Sequence, residues 1–416
     1  MLAGAMPPGC HTKGAVMETG SSLWGSSPHK PFPCVSGDIA LSRQARSLWG
    51  KSDGGEGACW LPLYMHMLDS AGIAGCLWDK WLPEGTRALF VQALGGDPCC
   101  ARKLACFIAG IHDIGKATPS FQGMPCGKGG FTLDHKPRKA GLPFRPEVTG
   151  HRRVSHPMGS YLVLLDILVR DYGWQAACAE SIAAVVGGHH GKPPAGEDDP
   201  VKIRAEVMPQ VYGLGWDKGC AEAWTAVQVE LVTLVALAAG LTHEELAGFA
   251  NTFVPAPVAS LLTGYVIMAD WLASDQTLFP LVSNGYDDEG EDDRDLRMQP
   301  STWNDVSRQV AGARQRAGLI PAWHEDAVPN VPIDDLYRNR FGFSESMRPR
   351  PMQRAAVEVA CSVEKPGLMI IEAPMGEGKT EAALAAAEIL AARTGRGGIC
   401  VALPTMATTD AMFGRV

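Results

Sequence analysis

Two adjacent residues open the chemistry available to this chain of 416 residues. His112 and Asp113 stand side by side in IAGIHDIGKATPSF, at an apolar helix end that runs into Gly115 and Lys116. An imidazole next to a carboxylate can bridge two divalent ions, but a lone pair of this kind says little. Support comes from His66 in LPLYMHMLDSAG, His156 in HRRVSHPMGSYLV, His189 and His190 in VVGGHHGKPP, and Asp270 in VIMADWLASD. Each taken singly is more often a satisfied structural residue. Together, five of the 11 histidines and two aspartates fall at the starts or ends of apolar helical segments, which is what a metal site lining a helical bundle requires. Imidazole-rich ligation with some carboxylate suits Mn, Fe, Co or Ni better than Mg or Ca.

A second pattern lies near the end of the sequence. APMGEGKT (373–380) follows the apolar run GLMIIEAP (367–374) and opens an Ala/Leu-rich helical stretch (381–393). In that setting glycines turn backbone N–H groups toward phosphates, Lys379 supplies charge and Thr380 can hold Mg²⁺. Gly376 and Gly378 are the loop glycines. Gln353, in RPRPMQ, lies about twenty residues upstream of the loop.

The elements that must position these side chains are mostly helices. Apolar residues recur at helical spacing over 61–75, 85–94, 100–114, 155–171, 174–187, 219–239, 243–250 and 257–275. Strand signals are nearly absent there. The pattern predicts a loose Gly/Ser/Pro-rich tail over 1–55, with 41–51 its only hint of order, and a mainly α-helical domain over 56–282. A connector follows over 283–335, containing an amphipathic segment at 306–319. Residues 336–416 then read as strand, Gly loop, helix and a second strand (GICVALPT, 398–405), the opening of a parallel α/β domain.

Composition sets the outer limits. Hydrophobic residues at 46% and charged residues at 20% fit a globular chain and exclude wholesale disorder or a small disulfide scaffold. No signal-peptide pattern or continuous apolar membrane span is legible, so the expectation is a monomeric cytoplasmic protein with its 12 cysteines reduced. The net charge of −8 is unevenly spread. Asp287–Arg297 holds seven acids and two bases, whereas 101–156 holds ten Lys or Arg against three acids. The long basic loop at 122–153 could follow a phosphate backbone.

The order H, HD, H, HH, D resembles the HD phosphohydrolase superfamily. HDIGK followed by ATPSFQ, then GGHHGKPP, then ADWLASDQTLFP, then a nucleotide loop with the variant APM entry of superfamily 2 helicases, is similar to the type I CRISPR-associated helicase-nucleases of the subtype I-E kind. LPTMATTDAMF (403–413) is similar to the family's motif Ia, which contacts single-stranded DNA. The resemblance covers the chain from about Trp60 onward.

It implies that His66, His112, Asp113 and Asp270 hold one metal and that Asp113, His156, His189 and His190 hold the second. Lys116 would contact the scissile phosphate, and Gln353 stands where superfamily 2 helicases carry a Gln that reads adenine. Two such ions activate a water and stabilise the leaving oxygen in phosphodiester hydrolysis. His151 rivals His156 by position; His135 matches no motif. The implied activity is endo- and exonucleolytic cleavage of single-stranded DNA in antiviral defence, with the strand delivered by the Cascade surveillance complex, and ATP with Mg²⁺ serving the intact helicase. The sequence ends before a Walker B pair or a second RecA-like domain, so no ATP turnover is expected of these residues. Two other readings stay open: an HD phosphohydrolase acting on nucleotides, and a catalytically idle fragment that docks on Cascade.

Overall fold

The computed structural model describes residues 32, 35–53, 59–126, 132–144, 154–193, 218–283, 298–319, 331–396 and 398–403. Helices dominate them, close to where the apolar periodicity places them. The elements are α1 (Arg43–Ser47), β1 (Trp49–Ser52), β2 (Trp60–Pro62), α2 (Leu63–Cys76), α3 (Glu84–Ala93), α4 (Pro98–Gly110), α5 (Pro119–Gln122) and α6 (His135–Lys139). They continue with α7 (His156–Tyr172), α8 (Ala176–Gly187), α9 (Lys218–Ala239), α10 (His243–Gly248), α11 (Ala256–Ser274), α12 (Trp303–Ala317), α13 (Ile333–Phe341), α14 (Pro351–Ser362) and α15 (Lys379–Arg393).

Helix α2 is the axis of the bundle. All its residues are buried, as expected of a helix apolar on every side, and α4, α9, α11 and α12 pack around it. Two glycines permit the closest approaches: a Cβ on Gly72 would lie 2.8 Å from Val310 of α12, and one on Gly110 would lie 2.7 Å from Val235 of α9 and 2.8 Å from Ala71. Helices α9 and α11 are long and apolar enough to cross a membrane by length and composition, a property the sequence reading had not credited. Both contribute residues to this core.

Three expectations need correction. The tail expected over 1–55 is ordered over 35–53: Ser42 caps α1 and its N–H and hydroxyl hold Glu230 of α9 at 2.5 and 2.6 Å, while Ile39, Ala45, Leu48 and Trp49 are buried. Apolar residues interspersed with Ser and Gly gave no periodicity, yet a larger core buries them. Residues 1–31 lie outside the described residues. The mostly helical reading holds, but one short strand pair was not expected: β1 and β2 pair antiparallel and are too short and too buried to alternate.

The third correction concerns 367–374 and 398–403, which form no strand among the described residues; the one sheet there is β1–β2. A strand exists only by pairing, and neither segment has a ladder partner. Leu368 and Ile370 are accordingly 88% and 78% exposed. A small second core of Tyr337, Val357, Ala360, Ala385, Ala386 and Ile389 joins α13, α14 and α15.

Candidate metal centre

The candidate side chains arrive from five elements. His66 sits one turn into α2, His112 and Asp113 occupy the turn that ends α4, His156 is the first residue of α7, His189 and His190 follow the end of α8, and Asp270 lies in the last turns of α11. The turn after α4 is pressed into place by glycine. Gly115 lies against the first turn of α7 and donates its N–H to Ser160 Oγ at 2.9 Å. A Cβ on Gly115 would fall 2.1 Å from His156 O and 2.3 Å from Ser160 N, both backbone atoms.

These residues form two groups whose ligand atoms lie within 4.8 Å of one another: His66, His112, Asp113 and Asp270, and His156, His189 and His190. Asp113 joins them. Its Oδ2 is 3.1 Å from His66 Nε2 and 3.4 Å from His112 Nε2; its Oδ1 is 3.6 Å from the Nε2 atoms of both His156 and His189. Asp270 Oδ1 closes the first group at 3.2 Å from His66 and 3.4 Å from His112. In the second, His156 Nε2 faces His190 Nε2 at 3.2 Å.

Two of the imidazoles are aimed from behind. His112 Nδ1 and His189 Nδ1 each lie 2.7 Å from a backbone carbonyl, of Ala109 and Val186. Nδ1–H donates there, so Nε2 is the atom directed inward, the usual backing of a metal-ligating histidine. Among the described residues the Nε2 atoms of His66, His112 and His189 are buried with no hydrogen-bond partner. Orphaned buried nitrogens beside two carboxylates are costly without a further partner, and the donor set fits divalent transition ions.

The electrostatics of these side chains follow from their crowding. Burial opposes charge on His112, but the carboxylates of Asp113 and Asp270 outweigh it and push its pKa up to about 10. His156 and His189 are driven the other way, chiefly by burial, to about 3 and about 4. Burial also opposes ionisation of Asp113 and Asp270; for Asp113 the cations Lys116 and His112 prevail, for Asp270 His112 and His66, and both carboxyls stay well below the usual range.

A metal ligand must give up its proton. With pKa values pushed this low, His156 and His189 would enter ligation already neutral, whereas His112 would have to lose a proton for an ion to enter. Loading is therefore expected to release about one proton per chain near pH 7.5 and to tighten by up to about tenfold per pH unit between pH 6 and 9. Calorimetric titration in two buffers of different ionisation enthalpy measures the release, and no release at pH 7.5 would contradict the assignment of His112.

Lys116 takes a position that the sequence did not suggest. It is 7% exposed, with Nζ 2.7 Å from Asp113 Oδ2 and donating to Gly50 O at 3.0 Å. In this geometry it neutralises the shared carboxylate and does not face solvent. Gln122 straps the same strand to the same turn: its Nε2 donates to Trp49 O and Lys116 O at 2.9 and 2.8 Å, and its Oε1 accepts from Trp49 N at 3.1 Å.

Of the remaining candidates, His151 lies outside the described residues, as do 404–413 of the motif Ia match and much of the basic loop. In the described part of that loop Lys136 stacks on Trp60 and Arg138 on Phe144, so some of its charge is held against aromatic faces. His135 begins α6, in neither ligand group. The structure brings Gln353 to the glycine loop, where its Nε2 donates to Gly378 O at 3.1 Å. Gly376 and Gly378 have φ of +81° and +77°, conformations glycine adopts without strain. Lys379 donates to Ala373 O and Pro374 O at 2.6 and 2.8 Å, and Thr380 lies in the first turn of α15.

A family profile described as "Cas3, HD domain" matches residues 49–279, the span that supplies every member of both groups. The chain belongs to the Cas3 HD domain family. It is 30% identical over 364 residues to the CRISPR-associated nuclease/helicase Cas3 of Streptococcus thermophilus, covering 86% of this chain and 36% of that protein. With the CRISPR-associated endonuclease/helicase Cas3 of Thermus thermophilus it shares 33% identity over 384 residues, 91% of this chain and 36% of that one. The chain thus spans little more than a third of these Cas3 proteins.

Among solved structures, that of T. fusca Cas3 with ATP superposes with a TM-score of 0.58 at 27% identity, covering 89% of this chain and 37% of its counterpart. A chain in a CRISPR RNA-guided surveillance complex, pre-nicking, does so with 0.53 at 26%, covering 91% and 38%.

Proposed function

We propose that the Cas3 HD domain of this chain is a two-metal phosphodiesterase that degrades single-stranded DNA in CRISPR interference. The observation that carries the reading is Asp113, whose two carboxylate oxygens divide between two histidine-rich groups. Two divalent ions held there would supply a low-pKa water and offset the charge on the phosphate and the leaving oxygen.

The chain's own residues do the rest. His66, His112 and Asp270 would hold one ion and His156, His189 and His190 the other, with Asp113 common to both. Burial of His66, His112 and Asp113 keeps bulk water from the floor of the site, which strengthens every charge interaction there. The exposed His190 and the partly exposed His156 form the open side by which a strand would enter. A flexible single strand can bring its backbone to such a recess more readily than a stiff duplex.

Purified protein should cut single-stranded DNA with Mn²⁺, Co²⁺ or Ni²⁺ and act far more weakly on duplex. Equal rates on both would overturn the substrate assignment, and hydrolysis of deoxynucleoside triphosphates in place of DNA would favour the nucleotide phosphohydrolase. Folded, metal-loaded protein without either activity would favour the idle Cascade-docking fragment.

The glycine loop belongs in this reading to ATP with Mg²⁺ in the helicase of the longer proteins, with Gln353 at the adenine. Gln353 and Lys379 belong to neither ligand group, and their side chains donate to the glycine loop itself, so Lys379→Ala is expected to leave the Mn²⁺-dependent cleavage rate within about twofold. A gel assay of single-strand digestion checks this, and a tenfold loss would tie the loop to the nuclease step. Cascade as the partner that delivers the strand is supported by the likeness to the chain in the surveillance complex.

A further inference from the structure

Strand β1 places a second lysine at the centre, one residue beyond the carbonyl that holds Lys116. Lys51 Nζ lies 3.8 Å from Asp270 Oδ1 and donates to Ser274 Oγ. Ser274 in turn donates to Asp270 Oδ1 at 2.8 Å, the oxygen that faces His66 and His112.

The two lysines differ in what their ammonium groups can still reach. Lys116 has a side chain 9% exposed, with an ionic partner at 2.7 Å and a carbonyl partner at 3.0 Å. The Lys51 side chain is 26% exposed beside an Asp270 that is itself 17% exposed, and its hydrogen-bond partner is a neutral hydroxyl. Charge on the non-bridging phosphate oxygens grows in the transition state of hydrolysis, and a preplaced cation stabilises it.

We propose that Lys51, and not the sealed Lys116, is the lysine that contacts the phosphate of the bound strand. Ser274 parks its ammonium at the rim of the Asp270 side until substrate arrives. The inference rests on the single-strand nuclease reading above, and wild-type cleavage with Mn²⁺ tests that reading separately: if the wild type does not cut, the nuclease reading fails whatever Lys51 does.

The experiment compares Lys51→Gln with Lys51→Arg in the full chain, by metal content, by cleavage, and by binding of a fluorescent oligonucleotide to metal-free protein across a salt series. Lys51→Gln should keep the wild-type metal content and cut at least about tenfold more slowly. Its plot of log affinity against log salt should become shallower by about one charge, since one phosphate contact is lost. Lys51→Arg should recover most of both. A Gln variant with the wild-type rate and salt slope would overturn the proposal. So would one that loses metal along with activity, which would make Lys51 a positioning residue for Asp270. Should Lys51→Gln fail to fold, Lys51→Arg and Ser274→Ala decide: an Arg variant tenfold slower than wild type, or a Ser274→Ala variant that loses metal, overturns it.

Discussion

Asp113→Asn is expected to lose both bound ions and to cut single-stranded DNA more than about 100-fold more slowly. Changes to groups that merely orient metal ligands already cost about 10–100-fold, and here a ligand shared by both groups loses its charge. Asn preserves the side-chain volume and leaves one oxygen for Lys116, so a loss of ions cannot be blamed on a cavity. His66→Ala, by contrast, removes one member of the first group alone and should spare most of the second ion. Elemental analysis beside a cleavage assay separates the two variants. An Asp113→Asn protein with two ions per chain and a normal rate would refute the assignment.

Gly115→Ala should produce the largest structural effect of any single methyl added to the site. The new Cβ would sit 2.1 Å from His156 O and 2.3 Å from Ser160 N, backbone atoms of a helix that cannot rotate away as a side chain would. Overpacking of a dense core costs about 1–3 kcal/mol and sometimes more, and a clash with backbone belongs at the upper end. At about 3 kcal/mol the midpoint of thermal unfolding should fall by roughly 6–12 °C for a domain of this size. The displaced helix start also carries His156, so the second group should bind its ion less tightly. Differential scanning calorimetry with and without Mn²⁺ measures both effects, and a midpoint within 2 °C of wild type would show that the turn and α7 separate freely.

Much of this centre was legible because helix ends and ligand residues coincide in the sequence. His112, Asp113, His156, His189 and His190 all stand where an apolar period begins or stops, and the helix limits follow that period to within a few residues. The pairing of Asp113 with both histidine groups was expected only through family resemblance. Spacing along a chain says nothing about which oxygen faces which ring.

What escaped the sequence has common physical causes. Trp49, Gly50 and Lys51 belong to a strand of four residues inside a stretch that composition assigns to a tail. Too few residues are present for a period, and the strand is held by tertiary contacts such as Gln122 on Trp49. Lys116 reads as an accessible cation next to HD, because nothing local shows that Gly50 O will seal it from above. Ser274, four residues after Asp270, looks like any helix-terminal serine until Lys51 is beside it. The apolar runs at 367–374 and 398–403 have strand composition, but pairing is a property of neighbours, and the described residues supply none.

In the proposed centre one carboxylate joins two ion sites. Crystals equilibrated with Mn²⁺ and measured at the manganese absorption edge test it directly through the anomalous difference map. The account predicts two peaks, about 3.5–4 Å apart as in other two-metal hydrolytic sites, one among His66, His112 and Asp270 and one among His156, His189 and His190, with Asp113 reaching both. A single peak, or two peaks without Asp113 between them, would contradict it.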